Sequence, residues 1–220
     1  SNNGDKVIRS GTGYNNGAWH HAVGTIGPAG AVLYVDGAQV AADASINSNF
    51  AWTPDQLLGY WHLGCGVYDA ATGYPDSANF PPTRNITATL DEVAIYDRIL
   101  TPAEVATHFQ AASVPADTSI YPSTVKADSP WTYQRFSGTP GAQVIGGGQF
   151  DVTGNDAPSP QTIYTFDLSG TGHTATISAG VRSVGGAIAG DSSAALKMNG
   201  GSSSCMVIDQ SMATTGTVSL

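Results

Sequence analysis

Short stretches of alternating apolar and polar residues, separated by glycine-containing turns, recur along this chain. The clearest example is AWHHAVGTIGPAGAVLYVDGAQVAAD at residues 18–43, which contains three such stretches. GPAG separates the first two. The dipeptide Asp36-Gly37, which favours a two-residue hairpin turn, separates the second from the third. The pattern predicts a β-meander of three strands.

A further strand is predicted in TATLDEVAIYD at residues 87–97. Its apolar side chains stand at Leu90, Val93 and Ile95, as expected for a strand with one buried face. The earlier segment QLLGYWHLG, at residues 56–64, also predicts one buried strand.

A short helix and a linker are predicted next. In TPAEVATHF, Thr101 and Glu104 have the spacing of a capping box, and a proline stands at the first helical position. The helix is therefore expected near residues 101–111. Residues 113–125 are rich in Pro, Ser, Thr and Ala without apolar periodicity, which predicts a linker.

The rest of the chain again has the pattern of strands and turns. SPWTYQRF predicts a short aromatic strand, and IYTFDLSGTGHTATIS predicts two strands joined by a glycine-rich turn. AALKMNGG and CMVIDQ predict a pair of strands around an Asn-Gly-Gly turn. GTVSL predicts a final strand.

Composition supports a turn-rich β-protein and excludes some partners. Only 11% of the 220 residues are charged, and 27 are glycine. The net charge is −9, and the eight Lys and Arg residues are scattered, whereas binding to nucleic acid or to an anionic membrane surface requires clustered positive charge. No apolar run approaches the roughly 20 residues that a membrane span needs.

The two cysteines, Cys65 and Cys205, have no metal-binding spacing. β-Proteins rich in Ser, Thr and Gly but poor in Lys are usually extracellular, which favours a disulfide between them. Two buried free thiols are the alternative. We therefore expect an extracellular or cell-surface location.

Several segments together resemble a known family. WHHAVGTIGPAGAVLYVDGAQVA followed by LDEVAIYDRILTPAEVATHF resembles the C-terminal half of a laminin-G-like, concanavalin A-like jelly-roll domain. YPSTVKADSPWTYQRF, DLSGTGHTATISAGV, GAIAGDSSAALKMNGGSSSCMVID and GTVSL resemble the N-terminal half of the same kind of domain. The resemblance implies an all-β fold, an antiparallel jelly-roll β-sandwich with one short helix near residues 101–111.

The two halves stand in reverse order, with residues 1–112 corresponding to the C-terminal half and residues 126–220 to the N-terminal half. Two tandem repeats, each cut internally, would explain this order, and so would a fragment. Half a jelly roll cannot bury its sheet faces. Each half must therefore find its complement in this chain, as one permuted sandwich, or in neighbouring copies. We expect the strands KVIRSG and GTVSL to lack partners within the chain.

Catalytic residues are not predicted. Glycoside hydrolases need two carboxylates that face each other, and the chain has only two glutamates, Glu92 and Glu104. Glu104 is assigned to the capping box, while Glu92 follows Asp91 on a predicted strand, which would turn their side chains to opposite faces. The same alternation separates His20 from His21, which disfavours shared metal ligation and suggests structural roles.

The resemblance implies one possible cofactor, a structural Ca²⁺ ion where the start and the end of the domain meet. Calcium prefers carboxylate and carbonyl oxygens, and the candidate ligands are Asp91 and Asp167, one on each half. The alternative is that Asp167 forms an Asx turn and that Asp91 pairs with a backbone amide.

A glycan is the candidate ligand, because aromatic rings stack on sugars. The candidate contacts are Trp61, Tyr68, Tyr74 and Phe80, on or near a long loop at residues 66–85. Packing of Trp61 in a buried strand and of the tyrosines within the loop is the alternative.

These patterns favour a non-enzymatic extracellular β-sandwich module for adhesion or carbohydrate binding. A structural repeat of an extracellular fibre, stalk or phage-tail-like appendage is the main alternative, and its partners would be neighbouring copies or tandem repeats of the same domain. An accessory module of a glycosidase is a further alternative.

Overall fold

The computed structural model describes residues 7–47, 61–64, 86–114, 118–136, 163–164, 169, 175–177, 182–188, 190–191, 194–200, 206–208 and 216–219. Within these residues the chain forms strands and two helices. The strands of the first half are β1 (Ala22–Gly27), β2 (Gly30–Val35), β3 (Ala38–Asp43), β4 (Trp61–Leu63), β5 (Thr87–Leu90) and β6 (Val93–Tyr96). The helices are α1 (Pro102–Ala112) and α2 (Ile120–Ala127). The later strands are β7 (Thr132–Gln134), β8 (Ile163–Tyr164), β9 (Ala175–Ile177), β10 (Arg182–Gly185), β11 (Ala194–Asn199), β12 (Met206–Ile208) and β13 (Gly216–Ser219).

The predicted meander is confirmed. β1 pairs with β2 and β2 with β3, both antiparallel. At the second hairpin, Asp36 and Gly37 have φ angles of 53° and 76°, the left-handed pair that a type I′ turn requires. At the first hairpin, Gly30 has φ 130°, and a Cβ there would lie 2.6 Å from the Cα of Ala44.

The strands form three antiparallel sheets, in the orders β3-β2-β1-β13-β6-β7, β10-β11-β5 and β4-β12-β9-β8. Every sheet contains strands from both sides of the segment at residues 113–125. The predicted hairpin of β8 and β9 is confirmed. The described strands are all antiparallel and the described residues form only two helices, so the fold is an all-β sandwich.

The final strand lies inside the six-stranded sheet. β13 pairs with β1, where Val23 is opposite Ser219, and with β6, where Tyr96 is opposite Thr217. The expectation that GTVSL lacks partners within the chain is therefore wrong. KVIRSG is not an unpaired strand either, because its described part, residues 7–11, has no regular secondary structure.

The helix after β6 begins as predicted. Thr101 accepts a hydrogen bond from the Glu104 amide at 3.2 Å, and the Glu104 carboxylate accepts one from the Thr101 amide at 2.6 Å, which completes the capping box. The predicted linker is helical in its second part, because α2 begins at Ile120. Tyr121 and Val125, four residues apart on one helix face, are buried and hold α2 against the core.

The main core lies between the six-stranded sheet and the two helices. Ala94 and Tyr96 of β6 belong to it, and the alternate residues, Val93 and Ile95, are also fully buried. Because successive side chains of a strand point to opposite faces, β6 is covered on both faces. The sequence pattern had predicted one buried face.

Two strand predictions need correction. TATLDEVAIYD is not one strand but two, because β5 belongs to the three-stranded sheet and β6 to the six-stranded one. AALKMN and CMVID do not pair with each other, since β11 pairs with β10 and β5, whereas β12 pairs with β4 and β9. Among the described residues, neither helix is long and apolar enough to span a bilayer.

Candidate functional site

The chain passes from one sheet to another at Asp91 and Glu92, the two residues between β5 and β6. Glu92 has φ 55°, a left-handed conformation that few non-glycine residues adopt. The Asp91 carboxylate accepts a hydrogen bond from the Glu92 amide at 2.9 Å, which supports the bend. The expectation that these carboxylates occupy adjacent positions of one continuous strand is therefore wrong.

Glu92 is the centre of a buried ionic cluster, which we call the Glu92 cluster and which consists of Asp91, Glu92, Tyr133, Arg135 and Asp191. The Arg135 Nε donates to Glu92 Oε1 at 2.8 Å, and the Tyr133 hydroxyl donates to Glu92 Oε2. A second Arg135 nitrogen, Nη2, pairs with Asp191. Only 4% of the Glu92 side chain and 15% of the Arg135 side chain are exposed.

Asp91 extends the cluster to the segment before Asp191. Its second carboxylate oxygen accepts the amide of Ala187 at 2.7 Å. Burial, with the negative charge of Glu92 as the next contribution, raises the pKa of Asp91 to about 7. Burial also raises the pKa of Glu92, against the opposing charge of Arg135.

Carboxylates with raised pKa values are common in acid–base catalysis, but a catalytic pair must reach a substrate. Glu92 is 3% exposed, and Tyr133, which covers one of its oxygens, is fully buried. The Glu92 cluster therefore has a structural role. It joins the bend between two sheets to β7 and to the segment at residues 187–191.

A second buried polar group, the His108 cluster, lies between the six-stranded sheet and the helices and consists of His21, Tyr96, His108, Tyr121 and Asp128. His108 is fully buried on α1, and its Nε2 lies 2.7 Å from the Asp128 carboxylate. The ring of His21 lies 6.3 Å from that of His108. Burial, followed by the charge of His108, lowers the pKa of His21 to about 4, so His21 is neutral near pH 7.

Arg98 connects this cluster to the start of α1. Its guanidinium lies 2.8 Å from Asp128 and 3.0 Å from Glu104. The hydrogen bond from Arg98 is the main reason that the pKa of Glu104 falls to about 2. His20 has different surroundings from His21, because its ring contacts Asp36 at 2.8 Å. The neighbouring histidines thus have separate structural contacts.

The structure describes two of the predicted site residues. Asp91 is buried as described above, and Trp61 begins β4, where its backbone lies opposite Ile208. The other predicted site residues lie outside the described part of the chain, namely Cys65, Tyr68, Tyr74, Phe80, Asp167 and Cys205. In the residues that are described, no group of three or more His, Cys, Asp or Glu side chains is arranged to hold a metal ion.

Sequence reasoning missed the partners that build the two clusters, which are Tyr133, Arg135, Asp191, His108 and Asp128. One signal was available. The chain has only eight Lys and Arg residues, so an arginine directly after an aromatic strand, as in TYQRF, was a candidate for a buried ion pair. Its carboxylate partners are 43 and 56 positions away, and no local pattern identifies them.

Comparison with known families gives one match. Residues 1–106 match a family model described as the concanavalin A-like lectin/glucanases superfamily, of the laminin-G type. The match contains the meander, β5, β6 and the start of α1. Comparisons with curated proteins and with solved structures found no match.

Proposed function

We propose, from the laminin-G-like domain in residues 1–106, that this protein is a non-enzymatic β-sandwich module that binds carbohydrate or mediates adhesion outside the cell. Domains of this type are generally non-catalytic. Surface side chains would then carry recognition, and the buried ionic clusters would stabilise the fold.

The burial of the Glu92 cluster is the observation that supports this proposal most directly. It contains two adjacent carboxylates, those of Asp91 and Glu92, and burial raises the pKa of both. Both are at least 96% buried, and each of their oxygens already accepts a hydrogen bond from a backbone amide, Tyr133 or Arg135. A glycosidase needs its carboxylates beside the glycosidic bond, whereas a binding module has no such requirement.

A glycan array tests the function. We expect the fluorescently labelled chain to bind a subset of immobilised oligosaccharides and to release no reducing sugar from the same compounds in solution. Release of reducing sugar that Glu92→Gln abolishes would contradict the non-enzymatic assignment. Absence of binding to every glycan would instead favour the structural-repeat alternative, in which the partners are copies of the same domain.

The extracellular location is tested by the redox state of Cys65 and Cys205. In an oxidising compartment we expect a disulfide between them. Thiol titration of the unfolded, unreduced protein should then detect no free thiol. Two free thiols in protein purified from its native source would contradict both the disulfide and the argument for secretion.

A structural Ca²⁺ between Asp91 and Asp167 is a separate proposal. Asp91 already accepts two backbone hydrogen bonds, but a carboxylate offers about four lone-pair sites, so it retains capacity for an ion. Binding to the native state would raise the melting temperature. We expect EDTA to lower that temperature and added Ca²⁺ to restore it. The same melting temperature in EDTA and in Ca²⁺ would exclude the ion.

A further inference from the structure

The loop before β1 presents aromatic side chains to solvent. Tyr14 is 37% exposed and Trp19 is 46% exposed. Among the described residues, the other large apolar side chains with comparable exposure are aliphatic, namely Ile86, Ile99 and Val114. Single exposed apolar residues are common and need no explanation. Two exposed aromatic rings five positions apart in one loop form a more specific feature.

Hydrogen bonds hold this loop against the second hairpin turn. The His20 ring lies between the Asp36 carboxylate, at 2.8 Å, and the Asn16 side-chain oxygen, at 3.1 Å. Asn16 also accepts the amide of Ala18 at 2.8 Å. The other Asp36 oxygen accepts the amide of His21 at 3.0 Å. The loop is therefore fixed to the turn between β2 and β3.

The same network positions the Tyr14 ring. Its centroid lies 5.3 Å from that of His20, and the two rings are nearly perpendicular at 85°. This edge-to-face contact is a favourable arrangement of rings. Because hydrogen bonds on both sides hold His20, Tyr14 has a fixed support while more than a third of its surface stays in water. A ligand would meet a preorganised ring, which reduces the entropy lost on binding.

Space for a ligand is available around the loop. A Cβ built on Gly11, Gly13 or Gly17 would meet no atom within 4 Å. Gly13 and Gly17 also have positive φ angles, 106° and 81°, that other residues rarely adopt. The glycines thus set the shape of the loop and leave its outer side open.

We propose that Tyr14, Asn16, Trp19, His20 and Asp36 form a binding site for neutral carbohydrate, which we call the Tyr14 site. This inference rests on the proposed function and gives it a location. Exposed Tyr and Trp rings offer apolar faces to sugar C–H groups. The Asn16 amide and the Asp36 carboxylate offer a donor and an acceptor to hydroxyl groups.

Charge restricts the class of sugar. Asp36 contributes a carboxylate that pairs with the His20 ring, the Tyr14 site has no Lys or Arg, and the whole chain has a net charge of −9. Sialylated, sulfated and uronic acid-containing glycans would meet repulsion at such a surface. The Tyr14 site should therefore favour neutral sugars.

The experiment measures binding to a panel of neutral oligosaccharides built from glucose, galactose, mannose and N-acetylglucosamine, with sialylated and sulfated oligosaccharides in parallel. Tyr14→Ala and Trp19→Ala each remove a ring, and Tyr14→Phe keeps the ring without its hydroxyl. Val114→Ala is the matched control, because Val114 is as exposed as Tyr14 but lies after α1. The melting temperature of each variant checks that it is folded.

We expect the wild type to bind at least one neutral oligosaccharide. Tyr14→Ala should weaken that binding by about tenfold, as the loss of one aromatic contact does. Tyr14→Phe and Val114→Ala should stay within about twofold of the wild type.

Three results would overturn the inference. Glycan binding that Tyr14→Ala and Trp19→Ala leave unchanged would place the binding site elsewhere and would leave the proposed function intact. Binding restricted to acidic glycans would refute the preference for neutral sugars. Failure of the wild type to bind any glycan would overturn this site and the carbohydrate-binding function together.

Discussion

Two fully buried tyrosines provide a direct test of the Glu92 cluster. Tyr133 and Tyr96 are both 0% exposed, and they lie on neighbouring strands of the six-stranded sheet. The Tyr133 hydroxyl donates to Glu92, whereas the Tyr96 hydroxyl has no hydrogen-bond partner among the described residues. Tyr→Phe at each position removes one oxygen atom and changes little else.

The two substitutions should change the free energy of unfolding in opposite directions. Tyr133→Phe removes the hydrogen bond that the hydroxyl donates to the buried Glu92 carboxylate, and a buried acceptor that loses its donor costs about 1–3 kcal/mol. Tyr96→Phe removes a buried hydroxyl without a described partner, and an unsatisfied buried group costs about 1–3 kcal/mol. Tyr96→Phe should therefore leave the protein as stable as the wild type or more stable.

Equilibrium denaturation in urea, followed by far-ultraviolet circular dichroism at pH 7, measures both changes. Total stabilities of domains are only about 5–15 kcal/mol, so a loss at Tyr133 should shift the midpoint clearly. The slope with urea concentration should stay constant, which shows that the compactness of the two states has not changed. Equal losses in both variants, or a greater loss for Tyr96→Phe, would refute this description of the Glu92 cluster.

Three further predictions concern charge and backbone conformation. Arg135→Met should cost about 3–5 kcal/mol because it leaves buried carboxylates without their cation. Arg98→Met, at a site where the arginine is 38% exposed, should cost about 1 kcal/mol or less. Similar losses of unfolding free energy in both variants would show that burial does not cause the large loss expected for Arg135→Met. Because the pKa of Asp91 is raised to about 7, its folded state keeps a proton that the unfolded state loses near pH 4. The free energy of unfolding should fall as the pH rises from about 4 to about 7, by up to about 1.4 kcal/mol per pH unit. Urea denaturation of Asp91→Asn across this range should show a smaller dependence of stability on pH. Gly30→Ala should lower the melting temperature because its Cβ would meet the Ala44 backbone, whereas Gly24→Ala, where a Cβ has open space, should not.

Local signals in the sequence predicted local structure. The Asp36-Gly37 turn and the Thr101–Glu104 capping box were both found as expected, because each depends on side chains and backbone within four residues. The helix α2 was missed although Tyr121 and Val125 have helical spacing, since the segment has only eight residues with a proline among them, and the Pro-rich flanks favour a linker.

Contacts between distant residues could not be predicted in the same way. The position of β13 between β1 and β6 depends on pairing across 120 or more residues. The residues of β13 do not by themselves indicate which strands it pairs with. The break between β5 and β6 also left no local signal, because Glu92 adopts a left-handed conformation without being glycine or asparagine. Tertiary contacts with Tyr133 and Arg135 hold it there.

The buried charged residues of this chain lie where the backbone needs hydrogen-bond partners. A strand that leaves one sheet for another exposes backbone groups at the bend, and buried backbone groups need partners. The Asp91 carboxylate is such a partner, because it accepts hydrogen bonds from the amides of Glu92 and Ala187. The same residues cannot then turn outward to a ligand. The loop that contains Tyr14 instead has exposed aromatic side chains, and these are the ones to which we assign the proposed recognition.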